Sequence, residues 1–173
     1  MKNKIFMLIG NYGVGKSTII KEPIIKQETI FIEIRQNIWV LGEKICGADS
    51  LSKYKKSQVK NIILNNLDKN IIIAGNYYTQ QTDVLLYSKY FDIVLIYLKT
   101  NYENNANRIK QRGGIININT FKNKLKLHTN LINKTKSFRK FYEIDNNKSI
   151  AEVKQEFYKI IDNETNRINT KRT

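Results

Sequence analysis

Ile5-Phe6-Met7-Leu8-Ile9-Gly10-Asn11-Tyr12-Gly13-Val14-Gly15-Lys16-Ser17-Thr18 decides how this chain folds. The continuous apolar run from Ile5 to Ile9 predicts a strand buried on both faces. It stops at Gly10, and residues 10 to 17 fit G-x-x-x-x-G-K-[ST]. In that pattern the glycines let the backbone wrap an anion with its N–H groups. The helix predicted to open at Gly15 adds the positive end of its dipole. Lys16 is then expected to reach the β- and γ-phosphates of a nucleoside triphosphate, and the Ser17 hydroxyl to ligate magnesium. The expected nucleotide-binding residues are Gly10, Asn11, Tyr12, Gly13, Val14, Gly15, Lys16, Ser17 and Thr18, with ATP and Mg2+ as the cofactors.

Beyond this stretch, strands alternate with helices. The first helix runs from Gly15 towards Pro23, the one proline, where it ends or kinks. A β-branched run predicts a second strand over Thr29 to Ile34. Tyr54 to Leu67 reads as a helix, with Val59, Ile63 and Leu67 at fourfold spacing. Further strands are expected at Ile71 to Ala74, Asp92 to Leu98 and Phe141 to Ile144. Further helices are expected at Glu103 to Gln111 and Phe121 to Phe138. Ser149 and Glu152 form a capping-box pattern before a final amphipathic helix. The expected fold class is α/β, a three-layer αβα arrangement with a five-stranded, mainly parallel sheet. One domain spans residues 1–165 with a basic lid region at about 103–142, and residues 166–173 form a flexible tail. Ligands of such sheets bind beyond the carboxyl ends of the strands, where Gly10, Glu33, Gly75 and Lys99 are expected to meet.

The net charge is +15 over 173 residues. Codon bias in an AT-rich genome enriches lysine and accounts for part of it, but the distribution adds something more. Between Glu103 and Glu143 there are ten basic residues and no acid, from Arg108 to Lys140. Such a span creates a positive potential suited to ATP, a nucleotide or a nucleic-acid backbone. The apolar runs are too short to cross a bilayer, which excludes a membrane partner of the spanning kind. The single cysteine, Cys46, excludes an intrachain disulfide framework, and the expected location is the cytoplasm. Cys46 and the single histidine, His128, read as structural residues.

The use made of a bound triphosphate is narrowed by exclusion first. The Asn-Lys-x-Asp pattern of a guanine-reading GTPase is absent. The strand Ile71-Ile72-Ile73-Ala74-Gly75-Asn76-Tyr77-Tyr78 lacks the acids of a hydrolytic motor. Arg108 and Arg112, at i, i+4 before Gly113-Gly114, share one helix face and suit a phosphoryl clamp. The run Tyr97-Leu98-Lys99-Thr100 with Arg108-Ile109-Lys110-Gln111-Arg112-Gly113 resembles the lid region of deoxynucleoside kinases and thymidylate kinases. Leu125-Lys126-Leu127-His128 and the pair Glu33 and Trp39 are similar to further features of those enzymes. Three departures stand out: Gly75-Asn76-Tyr77 replaces the family's Asp/Glu-Arg-Ser motif, Pro23 shortens the first helix, and no base-reading residues are placed.

The resemblance implies an ATP- and magnesium-dependent kinase of nucleosides or nucleotides, with Lys16, Arg108 and Arg112 as catalytic residues. Glu33 is the first choice of general base and Asp49 the second. Arg35, Asn76, Tyr77 and Lys53 are the expected substrate-binding residues, and Lys55, Lys56 and Lys60 flank the same cleft. The favoured acceptor is a modified nucleotide within DNA, because the basic span exceeds what a metabolite needs. The alternatives are a free deoxynucleoside or nucleoside-monophosphate kinase, and a nucleic-acid-binding protein without phosphotransfer.

Overall fold

In the computed structural model, residues 2–43, 51–134 and 140–166 are described. β1 (Lys4–Gly10) is buried along its whole length, as its unbroken apolar run requires. It lies within a seven-stranded mixed sheet in the order β2-β3-β4-β5-β1-β6-β7. The other strands are β2 (Lys26–Glu28), β3 (Phe31–Arg35), β4 (Ile38–Leu41), β5 (Asn70–Ala74), β6 (Asp92–Lys99) and β7 (Lys140–Asp145). β4, β5, β1, β6 and β7 are mutually parallel, whereas β3 runs antiparallel to both β2 and β4.

The five strands expected are thus seven. Two hairpins supply the difference. Thr29-Ile30 joins β2 to β3, and Gln36-Asn37 joins β3 to β4. Thr29 and Asn37 take positive φ of 45° and 55°, the left-handed conformation that lets a two-residue connection reverse the chain. The strand expected at Thr29 to Ile34 is the middle of this meander, and β4 is the strand that pairs with β5.

Among the described residues six helices accompany the sheet: α1 (Lys16–Ile19), α2 (Lys56–Leu64), α3 (Gln81–Tyr87), α4 (Tyr102–Lys110), α5 (Ile118–Lys134) and α6 (Ile150–Asn166). α3 is additional to the sequence reading, and α1 ends at Ile19, short of Pro23. The alternation within β1 sorts them into layers. Ile5, Met7 and Ile9 pack with Val59, Ile63, Val84, Tyr87 and Leu131, from α2, α3 and α5. Phe6 and Leu8 pack with Ile19, Val153, Phe157 and Ile161, from α1 and α6. Each of these buried aliphatic or aromatic side chains contributes roughly 1.5–3 kcal/mol of burial free energy. Helices therefore cover both faces, and none described is long and apolar enough to cross a membrane.

β1 has β5 on one side and β6 on the other, which makes it the topological switch point of the parallel strands. The crevice beyond its carboxyl end is where such sheets bind ligands.

Candidate functional site at the glycine-rich loop

The loop after β1 is held by its carbonyls. Asn105 of α4 donates its side-chain amide to Tyr12 O at 2.7 Å, and Asn146, just after β7, donates to Val14 O at 2.8 Å. Lys16 Nζ donates to Gly10 O and Asn11 O, both at 3.0 Å, and Asn76 donates to Gly10 O at 3.3 Å. Gly15 O caps α1 by accepting from Thr18 N and Ile19 N. By contrast, no hydrogen bond among the described residues uses the N–H groups of Gly13 or Gly15. Carbonyls turned outward and amides left unpaired form a nest, a concavity suited to an anion.

Gly13 and Gly15 adopt φ of 78° and 89°, where a side chain is strained. A Cβ on Gly13 would also collide with Ile109 Cγ1, because α4 packs directly on the loop. Asn105 and Asn146 are fully buried. Sequence reasoning missed both, since nothing distinguishes them from the chain's many other asparagines.

Arg108 and Arg112 lie where the loop is covered. Arg108 Nη2 donates to Asn146 O at 2.8 Å, and its Nη1 is buried without a partner. Burial, reinforced by the charge of Arg112, lowers its pKa; a guanidinium nonetheless stays protonated. Among the described residues no carboxylate pairs with it. Arg112 is exposed and lines a small cavity with Tyr12 and Gly13. Gly113, at φ 76°, acts as the left-handed cap of α4, donating its N–H to Lys110 O.

Two adjoining cavities open beside the loop. One, of about 510 Å³, is lined by Tyr12, Lys16, Asn76, Tyr77 and Ile116. The other, of about 400 Å³, lies between α3 and α5 and is lined by Ile9, Thr79, Gln81, His128 and Asn130. Asn76, Gln80 and Lys124 line both, so together they form one cleft leading away from Lys16. Among the described residues no acid lines either cavity.

The structure brings Gly10 to Thr18, Asn76, Tyr77, Arg108 and Arg112 together. Glu33 and Arg35 are elsewhere. Because β3 is antiparallel, its carboxyl end lies at the amino end of the parallel strands. Glu33 is level with Trp39, Ile71 and Ile5, three strands from β1 and about 20 Å from the loop by strand spacing and rise. Its Oε1 accepts from Asn37 N in the hairpin turn. Arg35 pairs with Asp162 at 3.3 Å and stacks 3.8 Å above the Tyr158 ring, fastening α6 to the sheet edge.

Lys53 pairs with Glu43 at 2.9 Å. Lys56 and Lys60, one turn apart on α2, both pair with the fully buried carboxylate of Asp83, at 3.0 and 2.7 Å. These lysines dock α2 on α3. Asp49 and Cys46 lie outside the described residues, as do residues 167–173 of the expected tail.

Besides Glu143 and Asp145 at the carboxyl end of β7, the acid that the topology carries to this end of the sheet is Glu43. It follows β4 three residues after Val40, which is level with Phe6. It accepts from Tyr54 Oη at 2.6 Å. No group of three or more His, Cys, Asp or Glu able to hold a metal occurs among the described residues. The exposed Ser17 hydroxyl is the kind of single protein oxygen that a magnesium ion would take beside phosphate, since this ion keeps few protein ligands there.

Fold and site define an α/β protein with a glycine-rich anion nest at the switch point of its sheet. Neither a protein-family model nor a curated protein matches the chain. Among solved structures it is similar to the YorR protein of Bacillus subtilis, determined in complex with phosphorylated GDP. The identity is 17%, covering 94% of this chain and 98% of that one, with a TM-score of 0.55. At that identity the likeness concerns the fold.

Proposed function

We propose that the protein is a nucleotide-dependent kinase of the P-loop nucleoside and nucleotide kinase type, moving the γ-phosphate of ATP to a hydroxyl of a nucleotide-like acceptor. The observation that carries this reading is the polarity of the loop: its carbonyls are tied to Asn105, Asn146, Asn76 and Lys16, while Gly13 and Gly15 keep free N–H donors. Such a nest binds phosphate oxygens and needs no rearrangement to do so. Lys16 exchanges two carbonyl partners for the β- and γ-phosphates. Ser17 would hold magnesium beside those phosphates, and the ion would supply charge neutralisation there. Arg108 and Arg112 approach from α4 to stabilise charge on the transferring group.

In the transfer the acceptor oxygen forms its bond to phosphorus as the bridging bond to ADP breaks. The hydroxyl proton leaves to a carboxylate, and Glu43 takes the role that the family resemblance assigns to Glu33. The acceptor sits in the cleft beyond Lys16. Cavities of about 510 and 400 Å³ match one nucleotide unit. The nucleotide held by YorR lends support of the same kind.

A free nucleoside or nucleotide is the first reading of the acceptor. A nucleotide within DNA is the second, favoured by one observation: Lys122 and Lys126 on α5 are exposed and without an ion-pair partner among the described residues. Lys56 and Lys60 of α2 add little to that surface, because both are held on Asp83, which offsets one of their two charges. Labelled γ-phosphate transfer, screened over nucleosides, nucleoside monophosphates and plain and base-modified DNA, tests the proposal. Transfer to at least one of them, abolished in Lys16→Ala, is expected; hydrolysis without transfer to any of them would refute it.

A further inference from the structure

Gly13 and Gly15 solve one problem of the loop and create another. Glycine takes their φ of 78° and 89° without strain, but it accepts negative φ about as readily. The peptide bond in front of each glycine can therefore turn over at little cost. Such a flip of Tyr12–Gly13 or Val14–Gly15 would put a carbonyl where the nest has an N–H. In a trans peptide the C=O and N–H point in opposite directions, so a pinned carbonyl fixes the amide behind it. Asn105 Nδ2 pins Tyr12 O at 2.7 Å, and Asn146 Nδ2 pins Val14 O at 2.8 Å. Each asparagine thus sets the direction of one glycine N–H, Asn105 that of Gly13 and Asn146 that of Gly15.

Both pins are themselves held. Asn105 shares one face of α4 with Arg108 and Ile109, at i+3 and i+4. Ile109 fills the space that a Cβ on Gly13 would need, and Arg108 Nη2 donates to Asn146 O at 2.8 Å. Asn146 N donates to Lys99 O at the end of β6, also at 2.8 Å. Both asparagines are fully buried, and both Oδ1 atoms lack a partner among the described residues. An unpaired buried acceptor lowers stability, and a leucine in its place would not carry one. What a leucine could not supply is the donor aimed at the loop.

We propose that Asn105 and Asn146 are positioning residues for phosphate, each locking one peptide plane of the loop so that a glycine N–H stays turned towards the triphosphate. The proposal rests on the phosphotransfer reading above and assigns the side chains that orient its phosphate donors. ATP with magnesium is titrated into wild type, Asn105→Leu and Asn146→Leu, and amide 15N–1H spectra and steady-state phosphotransfer are recorded for each. In Asn105→Leu the ATP-induced shift of the Gly13 amide is expected to collapse while that of Gly15 persists. Asn146→Leu is expected to show the converse. One lost hydrogen bond to a charged phosphate corresponds to a rise in KM for ATP of roughly tenfold to a hundredfold. Binding lost equally from ground and transition states leaves kcat within about threefold.

In wild type the side-chain amide signals of Asn105 and Asn146 are expected to exchange slowly with solvent both with and without ATP, because the pins outlast the change of partners at Lys16. Two results overturn the positioning role and leave the kinase reading standing. One is asparagine amides that exchange freely in the ATP complex. The other is leucine variants that lower Tm alone and keep the wild-type KM and both glycine shifts. If wild type shows neither phosphotransfer nor a shift at either glycine, the kinase reading falls and this one falls with it.

Discussion

The two basic flanks of the molecule use their charge differently. On the α2–α3 side, Lys53 meets Glu43, and Lys56 and Lys60 share Asp83, so these three lysines are engaged within the fold. On the α4–α5 side, Arg108, Arg112, Lys122, Lys124 and Lys126 have no carboxylate partner among the described residues. In sequence the two clusters look alike. Net charge therefore carries no functional information until its partners are placed. The buried Asp83 and the half-buried Glu43 turn three lysines of one cluster into structural fastening, and the lack of such acids among the described residues leaves the other able to meet an external anion.

Asp83 is where this contrast is most easily overturned. Asp83→Asn removes the one acid of this ion cluster and strands two lysines, each still about a quarter solvent-exposed. The expected loss is about 3 kcal/mol, or roughly 6–12 °C in Tm for a chain of this size, read by thermal unfolding. A change within about 0.5 kcal/mol, as for an ordinary surface site, would show that the α2 cations are solvated after all.

The next effect belongs to the histidine between the two flanks. Its pKa falls from 6.5 unfolded to about 4 folded. Between those values the unfolded chain binds the extra proton, so stability is full above pH 6.5 and is lost as pH falls towards 4. About 3 kcal/mol is the expected contribution over that window. Denaturant unfolding of wild type and His128→Gln at about pH 7 and about pH 4.5 measures it, and the variant is expected to lose less on acidification.

On the unpaired flank, Arg108→Ala is expected to lower kcat about tenfold to a hundredfold, more than it weakens ATP binding. Steady-state phosphotransfer on the best acceptor checks this. The smallest effects are those of Lys122→Ala and Lys126→Ala. Each is expected to leave stability within about 0.5 kcal/mol. If DNA is held there, each also shallows the salt dependence of DNA affinity by about one power of salt concentration per lost phosphate contact.

The loop and β1, β5 and β6 are legible in sequence because uninterrupted apolar runs, closed by glycine after β1 and β5, admit few other structures. The meander β2-β3-β4 is not. Thr29 takes positive φ without any local signature, and the short apolar run Ile38 to Leu41 follows so closely on Thr29 to Ile34 that nothing local separates the two as strands. That one reversal of direction moves Glu33 and Arg35 to the far end of the sheet and brings Glu43 to the near end. α3 has only seven residues, and its cap, Gln80 with Asp83, lacks the Ser or Thr that usually marks a helix start. Asn105 and Asn146 carry no signal at all in sequence, because what they do depends on which carbonyls the fold sets before them.

Whether Gly13 and Gly15 keep their N–H groups for phosphate is decided by amide 15N–1H spectra of the protein titrated with ATP and magnesium. Saturable downfield shifts of the Gly13 and Gly15 amide protons are expected, larger than those of residues outside the loop and much reduced in Lys16→Ala. Amide signals at Gly13 and Gly15 that do not move at saturating nucleotide would contradict the phosphate-nest reading and the kinase proposal built on it.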